Sequence, residues 1–127
     1  MGAVNIWKKW QSEAREKIED IKEKIVKSAK EIYPESTVIL YGAYALGLAG
    51  DESEVKICVL VDRIIGHEDD EDDNRFAMEY KIEKVFRQMY GGSPFPMDII
   101  IYTYDEYENV IHHSDKIKQD GIKISSL

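Results

Sequence analysis

The chain is poor in the residues that define several protein classes. It has a single cysteine, Cys58, and so can form neither an internal disulfide bond nor a cysteine-rich zinc site. No apolar run approaches the roughly 20 residues that a membrane-spanning helix requires. The N-terminal segment also lacks the apolar stretch of a signal peptide. We therefore expect a cytoplasmic protein with no membrane association.

Positive charge is also scarce. The chain has 17 Lys and Arg against 25 Asp and Glu, a formal net charge of −8 at pH 7. This balance argues against non-specific binding to nucleic acid, which depends on basic side chains along the phosphate backbone. It leaves open a local pocket for one nucleotide. With 127 residues, 43% of them hydrophobic, the chain is predicted to form a single domain, 1–127.

The first third of the chain has the pattern of one long helix. Apolar residues recur there at spacings of three and four, which places them on one stripe: Trp7, Trp10, Ala14, Ile18, Ile21, Ile25, Ala29 and Ile32. Pro34 ends the pattern, because the residue before a proline is pushed out of the helical region. We predict a helix over 1–33. It either packs on the core along its length or projects far enough to contact a partner or a second copy, giving a homo-oligomer.

The rest of the chain alternates between short strands and helices. Apolar runs, some with period two, predict strands at 37–41, 55–61, 97–103 and 122–124. Between them we expect a short helical stretch within 42–50, a helix whose apolar face runs from Met78 to Met89, and a helix that begins after Thr103. Thr103 and Glu106 have the spacing of a capping box. The order predicts an α+β fold, a small mixed sheet with helices packed mainly on one face.

One segment between these elements is almost entirely acidic. Six consecutive acidic residues run from Glu68 to Asp73. Such a block repels itself and is usually solvated. We predict an acidic loop over 66–74.

The segment from Val38 to Asp62 carries the most specific pattern. Tyr41-Gly42-Ala43-Tyr44-Ala45 lies at the end of the first strand, and Glu54-Val55-Lys56 opens the second strand, with ten residues between Ala43 and Glu54. Met97-Asp98-Ile99 places a further carboxylate on a later strand. The glycines are not followed by Lys-Ser or Lys-Thr, so this is not a P-loop.

In these features the chain resembles the minimal nucleotidyltransferase family of the DNA polymerase beta-like superfamily, over nearly everything from Ile21 to Ile124. That family has Gly-Ser, ten residues, Asp-x-Asp on the next strand and a third carboxylate later. The resemblance implies two-metal nucleotidyl transfer with Mg²⁺ and a nucleoside triphosphate. It assigns the catalytic positions to Glu54, Lys56 and Asp98, nucleotide binding to Gly42 and Ala43, and metal binding to Glu54 and Asp98.

Three of these positions depart from the family pattern. Ala43 replaces the serine, Glu54 replaces the first aspartate and Lys56 replaces the second. Two unit charges about 4 Å apart interact by roughly 4 kcal/mol at an effective dielectric of 20. Lys56 in place of an aspartate turns the attraction between this side chain and a metal ion into repulsion. We therefore expect no catalytic activity and weak or absent binding of Mg²⁺ and nucleoside triphosphate. We also expect Lys56 to take the place of the metal and to pair with Glu54 or Asp98.

Three functions remain open at this point. The first is a pseudoenzyme that binds a partner, since minimal nucleotidyltransferases resemble antitoxins that pair with small helical HEPN-type toxins. The second is an active nucleotidyltransferase with an unusual site, which transfers a nucleoside monophosphate to a protein or small-molecule hydroxyl with one metal on Glu54 and Asp98. The third is a nucleotide sensor in which Lys56 is the counter-charge of the phosphates. We prefer the first.

Overall fold

Helices and strands alternate along the residues that the structure, a computed structural model, describes: 12, 14–50, 53–89, 96–109 and 117–125. The helices are α1 (Ile18–Ile32), α2 (Ala43–Leu46), α3 (Glu71–Met89) and α4 (Tyr104–Asn109). The strands are β1 (Thr37–Tyr41), β2 (Val55–Val61), β3 (Met97–Thr103) and β4 (Ile122–Lys123). A further helical turn spans 117–120.

The strands form a four-stranded sheet in the order β3-β2-β1-β4. Strand β1 runs antiparallel to both β2 and β4, whereas β2 and β3 are parallel. The predicted small mixed sheet is therefore confirmed. Within the described ranges, no helix combines the length and apolarity that crossing a membrane requires.

The two long helices, α1 and α3, cover the same face of the sheet. The largest fully buried side chains all belong to the cluster beneath them, which joins Ile21 and Ile25 of α1 to Ile82 and Phe86 of α3 and to the inward residues of β1, β2 and β3. Burying each such side chain stabilises the fold by about 1.5–3 kcal/mol. This layer therefore holds the sheet and fixes which strand residues point away from it.

A smaller cluster lies on the other face of the sheet. It contains Ile39, Cys58, Leu60 and Ile117, with several tyrosines packed around them. The helices thus pack mainly on one face, as predicted, and within the described ranges only short segments approach the second face.

Helix α1 ends where the sequence predicts. The N–H of Tyr33 donates to the carbonyl of Ala29 at 2.7 Å, and Pro34 follows at once. Helical geometry continues before Ile18 at residues 12 and 14–16. The rest of the predicted helix over 1–33, which includes Trp7 and Trp10, lies outside the described residues.

The acidic run is not a loop throughout, so the predicted loop over 66–74 is too long. Helix α3 begins at Glu71, within the run. The side chain of Asp70 accepts the N–H of Asp72 at 2.8 Å, and its carbonyl accepts the N–H of Asn74 at 3.2 Å. An aspartate cap and carboxylates in the first turn both favour a helix start, because unpaired N–H groups give this end a partial positive charge.

Candidate functional site

The turn after β1 is built around Gly42. Its φ is +75°, a conformation that side chains with a Cβ rarely adopt. A Cβ added there would lie 3.2 Å from Cδ of Lys56. The carbonyl of Gly42 accepts N–H groups of Ala45 and Leu46 at 3.0 and 3.2 Å, which starts α2. The predicted turn with its short helical stretch is confirmed, and its apex rests on the aliphatic stem of Lys56.

Tyr41 of β1, Lys56 of β2 and Asp98 of β3 lie in one row across the sheet. The register pairs Tyr41 with Lys56 across β1 and β2, and Lys56 with Asp98 across β2 and β3. Side chains at paired positions share a face, and Glu54 precedes Lys56 by two residues and so lies toward the same face. This is the face opposite α1 and α3, because Val55 points into their cluster. The fold thus brings the predicted residues together at one end of one face.

The row has a negative field. Burial raises the pKa of the Tyr41 hydroxyl, and the charges of Asp98 and Glu54 raise it further. Two residues along β2 from Lys56, burial raises the pKa of the Cys58 thiol to about 12. Tyr41 and Cys58 are therefore fully protonated at neutral pH and cannot act as nucleophiles there.

Lys56 does not form the ion pair that the sequence led us to expect. Among the described residues, no ion pair within 4.0 Å joins Lys56 to Glu54 or Asp98, although the register places Lys56 beside Asp98. All three residues are exposed. An exposed ion pair gains only about 0–1 kcal/mol and restricts two flexible side chains, so adjacency alone does not bring the charged ends together.

These residues do not fit two Mg²⁺ ions. The resemblance requires carboxylates at positions 54 and 56, at the start of β2, and the second of these positions holds the ammonium of Lys56. In the part of the chain that the structure describes, no three His, Cys, Asp or Glu side chains are grouped to hold a metal ion. Two carboxylates remain near Lys56: Glu54, two residues before it, and Asp98, beside it on β3.

A partly buried ion pair that the sequence did not predict joins α3 to the end of β3 and the start of α4. Arg75 is 8% exposed, and it donates from Nη1 and Nη2 to the two carboxylate oxygens of Glu106 at 2.9 and 2.7 Å. Nη1 also donates to the carbonyl of Ile101 at 2.6 Å. The sequence did hold a signal that Arg75 is buried, because it lies three residues before Met78 and seven before Ile82, on the apolar stripe of α3.

Glu106 also completes the predicted capping box. The N–H of Thr103 donates to Glu106 Oε1 at 2.8 Å, and the N–H of Glu106 donates to Thr103 Oγ1 at 3.1 Å. Burial by itself raises the pKa of the Glu106 carboxyl, but the hydrogen bonds from Arg75 and Thr103 outweigh burial and lower it below the ordinary value. The carboxylate therefore has a structural role at the end of β3.

Comparison with known proteins gives a likeness at the level of the fold. No family model matches the chain, and a search of curated proteins found no match. Among solved structures, the chain is similar to a chain of one described as the crystal structure of the toxin-antitoxin with AMP-PNP. The TM-score is 0.54 at 15% sequence identity, over 84% of this chain and 73% of that chain. At this identity the likeness shows a shared fold.

Proposed function

We propose that this chain is a catalytically degenerate protein of nucleotidyltransferase fold that acts by binding a protein partner, as an antitoxin does. The position of Lys56 is the observation that supports the loss of catalysis. The stem of Lys56 lies against Gly42, and its position in the register is beside Asp98, where two-metal transfer requires another carboxylate. A cation in this position opposes the entry of a divalent metal ion.

The size of this effect decides between weakened and lost metal binding. An ammonium about 4 Å from a divalent cation is unfavourable by roughly 8 kcal/mol at an effective dielectric of 20. The flexible lysine stem allows the ammonium to move away, which lowers this repulsion but restores no ligand. A residual penalty of about 2–3 kcal/mol already weakens binding by roughly 30- to 150-fold.

Two observations support partner binding. The solved structure with the shared fold is of a toxin-antitoxin, and we extend to this chain the proposal of a protein partner. The net charge of −8 suits a basic partner, because complementary charge speeds and orients association. From the family resemblance, the partner class that we propose is a small helical HEPN-type toxin.

A calorimetric titration with ATP tests the catalytic part of the proposal. It is run with Mg²⁺ and with EDTA, on the natural chain and on the Ala43→Ser, Glu54→Asp, Lys56→Asp variant. We expect no heat from the natural chain and Mg²⁺-dependent binding by the variant. Lys123→Asp is the control, because it makes the same charge change on an exposed residue of β4.

Two other results would contradict the proposal. Binding of Mg-ATP by the natural chain at about micromolar concentration, with transfer of labelled nucleotide to a hydroxyl, indicates the active enzyme. Binding that persists in EDTA and is lost in Lys56→Ala indicates a nucleotide sensor. Partner binding is tested separately, by co-purification with a small basic helical protein encoded next to this chain and by the mass of the complex.

A further inference from the structure

Strand β3 is one edge of the sheet, and its backbone groups point alternately toward β2 and away from the sheet. The N–H of Val55 donates to the carbonyl of Pro96 at 2.9 Å, so the even-numbered residues of β3 bond β2. The N–H and C=O groups of Ile99 and Ile101 therefore point outward, where a further strand would add.

The two outward positions differ in their partners. At Ile101 the N–H donates to Oε2 of Glu79 at 2.8 Å and the carbonyl accepts Nη1 of Arg75 at 2.6 Å. At Ile99, no group within the described ranges bonds the outward N–H or C=O. Side chains of α3 thus cover one half of the β3 edge and leave the other half open. An open strand edge is a template for an extended segment of another chain.

The open half of β3 lines a groove whose other wall is α3. The groove has a volume of about 230 Å³. Phe76 and Tyr80 lie on that wall, one helical turn apart, and are 64% and 65% exposed. Exposed aromatic rings are enriched in protein interfaces, because they provide a large contact area at a small cost in side-chain entropy.

The same groove is acidic. Glu79, Glu83 and Asp98 line it, and among the described residues no lysine or arginine does, although Glu83 pairs with Arg87 of the same helix at 3.2 Å. Burial raises the pKa of Glu79, and the nearby charge of Asp98 adds to the rise while Ile101 and Arg75 oppose it. A second copy of this chain docked at this edge would bring like charges together, which disfavours a homodimer. A basic segment would instead neutralise Glu79 and Asp98.

We propose that the open half of β3 binds an extended basic segment of the protein partner, which adds a strand beside Ile99. Alternate side chains of that strand face α3, so lysine or arginine at every second position meets Glu79 and the rings of Phe76 and Tyr80. This inference rests on the proposed partner-binding function and names its surface.

A peptide tests the proposal without the partner in hand. The probe is an eight-residue peptide of alternating lysine and valine, titrated into the full chain by calorimetry, with amide hydrogen exchange measured at Ile99. We expect binding weaker than about 1 µM but detectable below about 1 mM. We also expect at least tenfold slower exchange of the Ile99 amide. A peptide with N-methylated backbone at alternate residues cannot pair and should not bind, nor should a peptide with glutamate in place of lysine.

Variants separate groove binding from general attraction. Phe76→Ala with Tyr80→Ala should weaken peptide binding by about tenfold, since each ring contributes a cation–π contact. Leu46→Ala with Leu48→Ala is the matched control, because both leucines are also exposed, at 52% and 73%, and lie outside the groove. The control pair should leave the affinity unchanged. Thermal unfolding checks that both double variants are folded.

Several results would overturn this inference. They are no binding up to about 1 mM, equal binding of the N-methylated peptide, or binding that leaves the exchange of Ile99 unchanged. A dimer of the free chain with Ile99 already protected would show that a second copy occupies the edge. None of these peptide results alters the outcome expected of the ATP titration. Nucleotidyl transfer by the natural chain would instead refute the proposed function and leave the peptide result standing.

Discussion

Replacing Arg75 by methionine should destabilise the protein strongly, because one side chain joins three elements. Methionine keeps much of the volume of the stem and removes the guanidinium. The substitution deletes both hydrogen bonds to Glu106, at 2.9 and 2.7 Å, and the 2.6 Å bond to the carbonyl of Ile101. It leaves the Glu106 carboxylate and the Ile101 carbonyl without this donor.

The magnitude follows from burial and geometry. Removing one member of a buried ion pair typically costs about 3–5 kcal/mol. This pair lies at the rim, with side chains 10% and 28% exposed, so water partly re-solvates Glu106. Glu106 also keeps the N–H of Thr103. We therefore expect Arg75→Met to lower the free energy of unfolding by about 3 kcal/mol. Arg75→Lys should recover less than half, since an ammonium cannot make the bidentate contact.

The assay is urea unfolding followed by circular dichroism, arranged as a double-mutant cycle with Glu106→Gln. Glutamine keeps an acceptor for Thr103 and removes the charge, so we expect that single variant to lose about 2 kcal/mol. The coupling energy between Arg75 and Glu106 should be about 1.5–2 kcal/mol. Arg63→Met, at an exposed position, is the control and should change stability by less than about 0.5 kcal/mol. A coupling energy near zero, or a loss below about 1 kcal/mol in Arg75→Met, would refute the reasoning.

The pH dependence provides a second check on the same pair. The pKa of Glu106 is lower in the folded protein than in the unfolded chain. Its contribution is therefore complete above the unfolded value of about 4.3 and is lost as the pH falls through the folded pKa. In Glu106→Gln, the free energy of unfolding should therefore fall less steeply as the solution is acidified. An equally steep fall in the variant and the natural chain would contradict the lowered pKa of Glu106.

Three smaller predictions follow from single contacts. Glu79→Gln keeps an acceptor for the N–H of Ile101 and removes a carboxylate whose pKa is raised in the fold, so at pH 7 it should be neutral or stabilise by up to about 1 kcal/mol in urea unfolding. Gly42→Ala should destabilise by about 1–2 kcal/mol in thermal unfolding, because φ is +75°, and Lys56→Ala should not rescue it. Cys58, whose thiol pKa is raised to about 12, should react with a disulfide reagent at about pH 8 only through unfolding, which a denaturant series measures.

The sequence predicted strands and caps well where residues close together in the chain determine which side chains are buried or bonded. The strands at 37–41, 55–61 and 97–103 have the bounds that the sequence predicts, because apolar runs and alternation report directly which residues face the core. The capping box of Thr103 and Glu106 was predictable for a similar reason, since both partners lie within one turn.

Contacts between distant segments were not predictable in this way. The partner of Arg75 is 31 residues away at Glu106, and no periodicity encodes that distance. The family resemblance predicted that Lys56 and Asp98 are neighbours, and the register of β2 and β3 places them side by side. The expected ion pair also depends on the rotamers of two exposed side chains, which remain free to turn into solvent. The roles assigned from the resemblance remain predictions: catalysis by Glu54, Lys56 and Asp98, nucleotide binding by Gly42 and Ala43, and metal binding by Glu54 and Asp98.

The double use of Glu106 has a consequence for how the protein opens locally. Helix α4 has six residues, too few to persist in water without outside contacts. Its cap is the same carboxylate that holds Arg75 of α3, so melting α4 releases the start of α3 and the end of β3 with it. These segments should exchange their amide hydrogens as one cooperative unit, with a common opening free energy. Strand β4 pairs with β1 at two residues, with further hydrogen bonds that join Ile124 and Ser125 to Val38, and should open independently and at lower cost.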